Sequence, residues 1–227
     1  MMKVLVFDLD NTLCKLAKPV LDEDVKILKE LETRGNKIVI CSGKPTYYLC
    51  GLARQLGLES PILVGENGAV IQFGVDLPPH RYYIVTKQIE TITKLKKLRL
   101  EMEEVFSNRI WFQPNEVCLT PFPYCESDFK IIEKYLYEQD LKDCVIYNQI
   151  DCFDILPKDV NKYAGLAYLS QIIGISKEEF VAVGDSLNDY PMFDFSKTSI
   201  GINLKDKSKA LYNFNTINEA LKFLLNY

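Results

Sequence analysis

The sequence predicts an α/β protein, with a parallel sheet covered on both faces by helices and a smaller α+β domain inserted into it. Three observations predict this. The first third alternates apolar strands with helices, the texture changes at DLPPHR (residues 76–81) to helix-strand-strand, and the first texture returns after Pro157. A chain of 227 residues has room for one large domain with a smaller insert.

The elements follow in order. KVLVFD is a strand by its continuous apolar run, and LDEDVKILKELETRG is an amphipathic helix stopped at Gly35. NKIVICSG is a second strand, and KPTYYLCGLARQLGL is a helix with Pro45 near its first turn. SPILVGENGAVI reads as a third strand, a turn at Glu66-Asn67-Gly68 and a returning strand. Strands apolar throughout their length fit a parallel sheet buried on both sides.

Beyond DLPPHR, a helix is expected over 87–106, with strands around 110–113 and 116–120. A second helix is expected over 127–139, with strands around 144–148 and 152–156. This repeated unit implies a small antiparallel sheet. NKYAGLAYLSQIIGI is then helical, FVAVGD a strand, NDYPMFDFS a short helix, TSIGI a strand and INEALKFLLNY a closing amphipathic helix.

Composition narrows the function. The chain is 48% hydrophobic and 26% charged, with net charge −4 and no basic block of the kind that binds nucleic acid. No apolar run approaches the ~20 residues of a membrane span, and the N-terminus lacks a signal-peptide pattern, so a cytoplasmic protein is expected. The seven cysteines (Cys14, Cys41, Cys50, Cys118, Cys125, Cys144, Cys152) form no C-x-x-C pair, and His80 is the lone histidine. Zinc binding and histidine-based nucleophilic catalysis both lack their residues, which leaves carboxylates as candidate catalysts.

Asp8 and Asp10, in DLDNTL, lie two residues apart at the end of an apolar strand. In extended backbone both face the same way. If the strand is parallel and central, they emerge at its carboxyl end, where open α/β sheets place ligands. The second strand ends on Ser42-Gly43-Lys44-Pro45, a set suited to a phosphate oxygen. FVAVGD runs into GDSLND, adding Asp185 and Asp189. Each piece has an ordinary explanation: D-x-D as a turn or cap, Ser-Gly-Lys-Pro as a helix start, the later acids as turn residues, and Lys162 as a solvated helix residue. Their joint occurrence at successive element ends is much harder to explain that way.

DLDNTL, CSGK, Lys162 before a helix and VGDSLND resemble the four motifs of the haloacid-dehalogenase superfamily. GENGAVI is similar to the Asn-Gly-Ala segment of its Cof-type and sugar-phosphatase members. CSGKP, ENGAVIQF and NDYP lean towards the sucrose-phosphate and mannosyl-3-phosphoglycerate phosphatases, while the short chain is closer to archaeal phosphoglycolate phosphatases. The resemblance implies a Rossmann-like core over residues 1–77 and 158–227, and a C2-type α+β cap over 78–157. It implies a phosphatase in which Asp8 is the nucleophile and Asp10 the general acid and base. Mg²⁺ would be held by Asp8, the Asp10 carbonyl and Asp185, with Asp189 either a further ligand or a partner of the ligands, and the phosphate or substrate contacted by Ser42, Gly43, Lys44, Asn67, Lys162 and Asn188. Two departures stand out: Lys44 where many relatives have arginine, and Lys-Tyr-Ala-Gly-Leu where Lys-Gly-x-Ala-Leu is common.

The expected substrate is a small phosphate ester, either a sugar phosphate or a phosphorylated organic acid such as mannosyl-3-phosphoglycerate or phosphoglycolate. The expected state is monomer or homodimer. Substrate selection is expected in the insert, with Trp111, Phe112 and PFPYCE (121–126) as candidates, against the ordinary reading of these aromatics as core. A phosphomutase would need a second phosphate site, and the insert shows no arginine cluster. A non-catalytic binding module is expected to lack at least one motif acid, and all are present.

Overall fold

The structure, a computed structural model, describes residues 2–227. It divides into two compact units, one formed by the chain up to Val85 together with Lys162–Tyr227, the other by Thr86–Asn161.

In the first unit β1 (Val4–Phe7), α1 (Asp22–Thr33), β2 (Lys37–Cys41), α2 (Thr46–Leu56), β3 (Ile62–Gly65), β4 (Val70–Phe73) and β5 (Tyr82–Ile84) succeed one another. The second unit contains α3 (Ile89–Phe106), β6 (Ile110–Gln113), β7 (Thr120–Pro123), α4 (Glu126–Glu138), β8 (Cys144–Asn148) and β9 (Phe153–Pro157). The chain then returns to the first unit as α5 (Lys162–Ile173), β10 (Phe180–Gly184), α6 (Tyr190–Phe195), β11 (Thr198–Ile202), β12 (Tyr212–Phe214) and α7 (Ile217–Asn226).

The first unit is the expected Rossmann-like α/β core. Its sheet runs β12-β11-β10-β1-β2-β3-β4-β5, parallel from β12 to β3, with β4 and β5 antiparallel. Strand alternation splits its core in two. Leu5, Phe7, Ile38 and Ile40 pack with Leu28 and Leu31 of α1 and Leu221 of α7, while Val4, Val6 and Val39 pack with Leu166 and Leu169 of α5. Both faces of each central strand are therefore buried, which is why β1 is apolar at every position.

Local signals hold as read. Gly35 (φ +90°) and Gly57 (φ +68°) adopt the left-handed backbone just past α1 and α2. The Pro45 carbonyl accepts from the Tyr48 and Leu49 amides and closes the first turn of α2. Among the described residues no helix is long and apolar enough to cross a membrane.

In the second unit α3 and α4 cover one face of two antiparallel ladders, β6-β7 and β8-β9. Leu119 and Ile155 exchange backbone hydrogen bonds of 3.0 and 2.9 Å that join the ladders. The strand expected at 116–120 instead lies at Thr120–Pro123, through two prolines. The Tyr124 amide bonds the Arg109 carbonyl, so antiparallel alternation puts Pro121 and Pro123 at positions that need no ladder donor. Two short strands, β5 and β12, were not expected. β5 extends the first unit's sheet, so the units divide at Val85/Thr86 and Asn161/Lys162 rather than at 77/78 and 157/158.

Candidate active site

The register sets the site. Phe7 lies beside Ile40 of β2 and Val183 of β10, so the carboxyl ends of three central strands are level. The residues that follow them, Asp8, Ser42 and Asp185, emerge at one edge, and the Asp8 amide is anchored to the Val183 carbonyl at 2.9 Å.

At this edge Lys162 is the pivot. It opens α5, is only 1% exposed, and its Nζ donates to Asp8 Oδ1 at 2.7 Å and to Asp189 Oδ1 at 2.6 Å. The solvated-residue explanation for Lys162 fails here: a buried ammonium bridges two buried carboxylates. α5 gets this close because Gly165 lies against the Glu66-Asn67-Gly68 turn. A Cβ on Gly165 would stand 2.7 Å from the Gly68 Cα.

Asp189 braces the site. Its Oδ2 accepts from the Asp185 and Ser186 amides at 2.9 and 3.1 Å, fixing the loop that presents Asp185. Gly184 permits the approach, since a Cβ there would fall 2.5 Å from the Asp189 carboxyl carbon. Thr12 donates to Asp185 Oδ1 at 3.0 Å. The sequence reading missed Thr12. The available signal was a hydroxyl two residues past Asp10, swung inward by the left-handed Asn11 (φ +63°).

Asp10 stands apart from this cluster, a quarter exposed, with its Oδ2 3.1 Å from Lys44 Nζ. Ser42 is buried, its hydroxyl accepts from the Lys44 amide at 3.3 Å, and its carbonyl receives the Asn67 amide at 3.0 Å. Gly43 lies against Asn67, whose side-chain nitrogen would be 3.2 Å from a Cβ on the glycine. The Asn188 amide oxygen accepts from Ser186 Oγ at 2.6 Å.

Burial, opposed by Lys162 and reinforced by Asp189, raises the Asp8 carboxyl to about 7. Burial and Asp189 raise Asp185 to about 6. Lys162 is held protonated by its two carboxylates against its own burial. Burial pushes the neighbouring Cys41 thiol up to about 12, which leaves it inert.

One carboxylate oxygen each from Asp8, Asp185 and Asp189 lie within 4.8 Å of one another. An all-oxygen, acid-rich donor set fits a hard divalent cation. Raised carboxyls also predict a pH effect. In EDTA, Asp8 and Asp185 hold protons in the folded state that the unfolded chain has lost, so stability falls as pH rises from about 4 to about 7. The melting temperature of Asp8→Asn relative to wild type should therefore climb across that window, and added Mg²⁺ should flatten the wild-type slope. A difference independent of pH would contradict the assignment.

The sequence profile of the sucrose-6F-phosphate phosphohydrolase family matches residues 1–222. The chain belongs to that family. It is a phosphatase of the haloacid-dehalogenase superfamily. This family member is 23% identical over 209 residues to a phosphoglycolate phosphatase of Methanococcoides burtonii, covering 88% of this chain and 83% of that protein. It superimposes on a haloacid dehalogenase-like hydrolase from Bacteroides thetaiotaomicron with a TM-score of 0.80 at 17% identity, covering 99% and 100% of the two chains. The fold is shared too with the subclass IIB sugar phosphatase BT4131, with a TM-score of 0.70 at 20% identity and complete coverage of both chains.

Proposed function

We propose that this haloacid-dehalogenase phosphatase hydrolyses a small phosphorylated metabolite, a sugar phosphate or a phosphorylated organic acid, through an aspartyl-phosphate on Asp8 with Mg²⁺ as cofactor. In this reading the first unit does the chemistry and the second acts as a cap. The supporting observation is the division of labour between the first two aspartates. Asp8 is locked to Lys162 within the acidic cluster, while Asp10 sits outside it, more exposed and beside Lys44.

An Asp8 oxygen attacks phosphorus, the ester P–O bond breaks, and Asp10 gives its proton to the departing oxygen. Asp10 then takes a proton from water, the water oxygen attacks phosphorus, and the acyl-phosphate bond opens to restore the Asp8 carboxylate. Lys162 and the Ser42 hydroxyl donate to the phosphoryl oxygens, and Gly43, Lys44, Asn67 and Asn188 complete the phosphate and substrate contacts. Asp8, Asp185, Asp189 and the Asp10 carbonyl would hold the ion. When bound, Mg²⁺ supplies the positive charge that makes a phosphate dianion tolerable beside these acids and favours ionised Asp8.

The test is hydrolysis of p-nitrophenyl phosphate. Turnover is expected with Mg²⁺, lost in EDTA and restored by Mg²⁺. Failure with Mg²⁺, Mn²⁺ and Co²⁺ alike would overturn the reading. A panel of phosphoglycolate, hexose phosphates and mannosyl-3-phosphoglycerate addresses the leaving group, and an equal response to all would sink the claim of a particular metabolite.

A further inference from the structure

One helix of the second unit carries its charge against its own polarity. In α3 the cations Lys94, Lys96, Lys97 and Arg99 come first, and the acids Glu101, Glu103 and Glu104 follow toward the C-terminus. A helix dipole favours acids in the first turn and cations in the last, yet the last turn of α3 holds Glu103 and Glu104 and no base. The order also runs cation before acid at a spacing of four, the weaker sense for pairs along one helix. Arg99 and Glu103 do pair at that spacing, at 2.8 Å, whereas Lys97 and Glu101 do not. Lys94 lies 3.7 Å from Asp140, and Lys96, Lys97 and Glu104 take no ion partner among the described residues.

These charges flank an apolar residue on the face that α3 turns away from its core. Leu95, Leu98, Met102 and Phe106 pack inward. On the opposite side Lys96, Lys97, Leu100, Glu103 and Glu104 are exposed, Leu100 to 65%. A solvated helix accounts for exposed charge, but not for an order that opposes both the dipole and the pairing sense. A second, antiparallel helix of the same kind accounts for it. Lys96 and Lys97 lie one turn before Leu100, and Glu103 and Glu104 one turn after it. Under a two-fold axis through Leu100, each basic turn meets an acidic turn and Leu100 meets its own copy. The surface is complementary to itself.

We propose that the outer face of α3, centred on Leu100, is an isologous contact through which two copies of this chain pair with their α3 helices antiparallel. The inference is independent of the phosphatase reading. An 18-residue helix is about 27 Å long, so the contact falls below the roughly 1,200 Å² of standard interfaces, and the dimer should be weak and reversible. The experiment is sedimentation velocity of the full chain from about 10 to 500 µM, a range suited to so small a contact. Wild type should be dimeric at the upper end, and raising NaCl to about 1 M should weaken the dimer at least about threefold. Leu100→Arg should remain monomeric throughout. So should two charge variants, Lys96→Glu with Lys97→Glu, and Glu103→Lys with Glu104→Lys, because each sets like charges face to face. Mixed in equal amounts, these two charge variants should form a one-to-one heterodimer, which neither misfolding nor general stickiness would produce. Thermal melts check that each variant is folded, and the mixing result decides the matter if Leu100→Arg is not. A wild type monomeric over the whole range, a dimer that persists in the folded charge variants, or folded charge variants that fail to pair on mixing would each overturn the proposal.

Discussion

Asp8→Asn should have no measurable phosphatase activity under conditions where wild type turns over readily. An uncharged amide cannot attack phosphorus, and no other carboxylate shares the position of Asp8 between the Val183 carbonyl and the Lys162 ammonium. The fold should survive, because Lys162 keeps its 2.6 Å bond to Asp189 and the change removes a carboxylate whose charged form burial disfavours. The measurement is turnover of p-nitrophenyl phosphate beside a thermal melt. A folded variant retaining a tenth of wild-type activity would rule out Asp8 as nucleophile.

Lys162→Met should damage both stability and rate. It leaves Asp8 and Asp189 buried and facing each other without the cation between them. Breaking a buried pair in this way costs about 3–5 kcal/mol. The loss of one donor to the transferring phosphoryl group should lower kcat on the order of 10²–10³-fold. The pH dependence separates electrostatics from lost packing. With Asp8 titrating at about 7, the destabilisation read by urea unfolding in EDTA should be smaller at pH 5 than at pH 8. Equal destabilisation at both would show that packing dominates, and kcat above a tenth of wild type would remove Lys162 from catalysis.

The sheet that carries these residues was legible because β1 is apolar at every position and α1 and α2 stop at glycines in left-handed backbone. The short edge strands β5 and β12 were not legible. Three residues of mixed polarity, YYI and YNF, carry no periodicity, and their pairing comes from the neighbouring strand. β7 was displaced because prolines argue against a strand unless the alternation of ladder bonds is known. At the site, the acids, Ser42 and Lys162 could be nominated from their order at strand and helix ends. The contact of Thr12 with Asp185, and the ion pair of Lys44 with Asp10, depend on where loops fold back. No spacing encodes that.

The central pair β1-β10 joins Val4 to Phe180, and Lys162 reaches Asp8 across 154 positions of chain. As the protein emerges from the ribosome, β1 must wait, unpaired on one side, while the whole second unit is made. That unit, with its own core and local ladders, can fold meanwhile. The first cannot close until β10 arrives. Before then the nascent strand shows an apolar edge ending in acids that lack their lysine. Chaperone demand and aggregation risk should peak in that interval, and a chain arrested before Phe180 should be captured more readily than one arrested after Ile202.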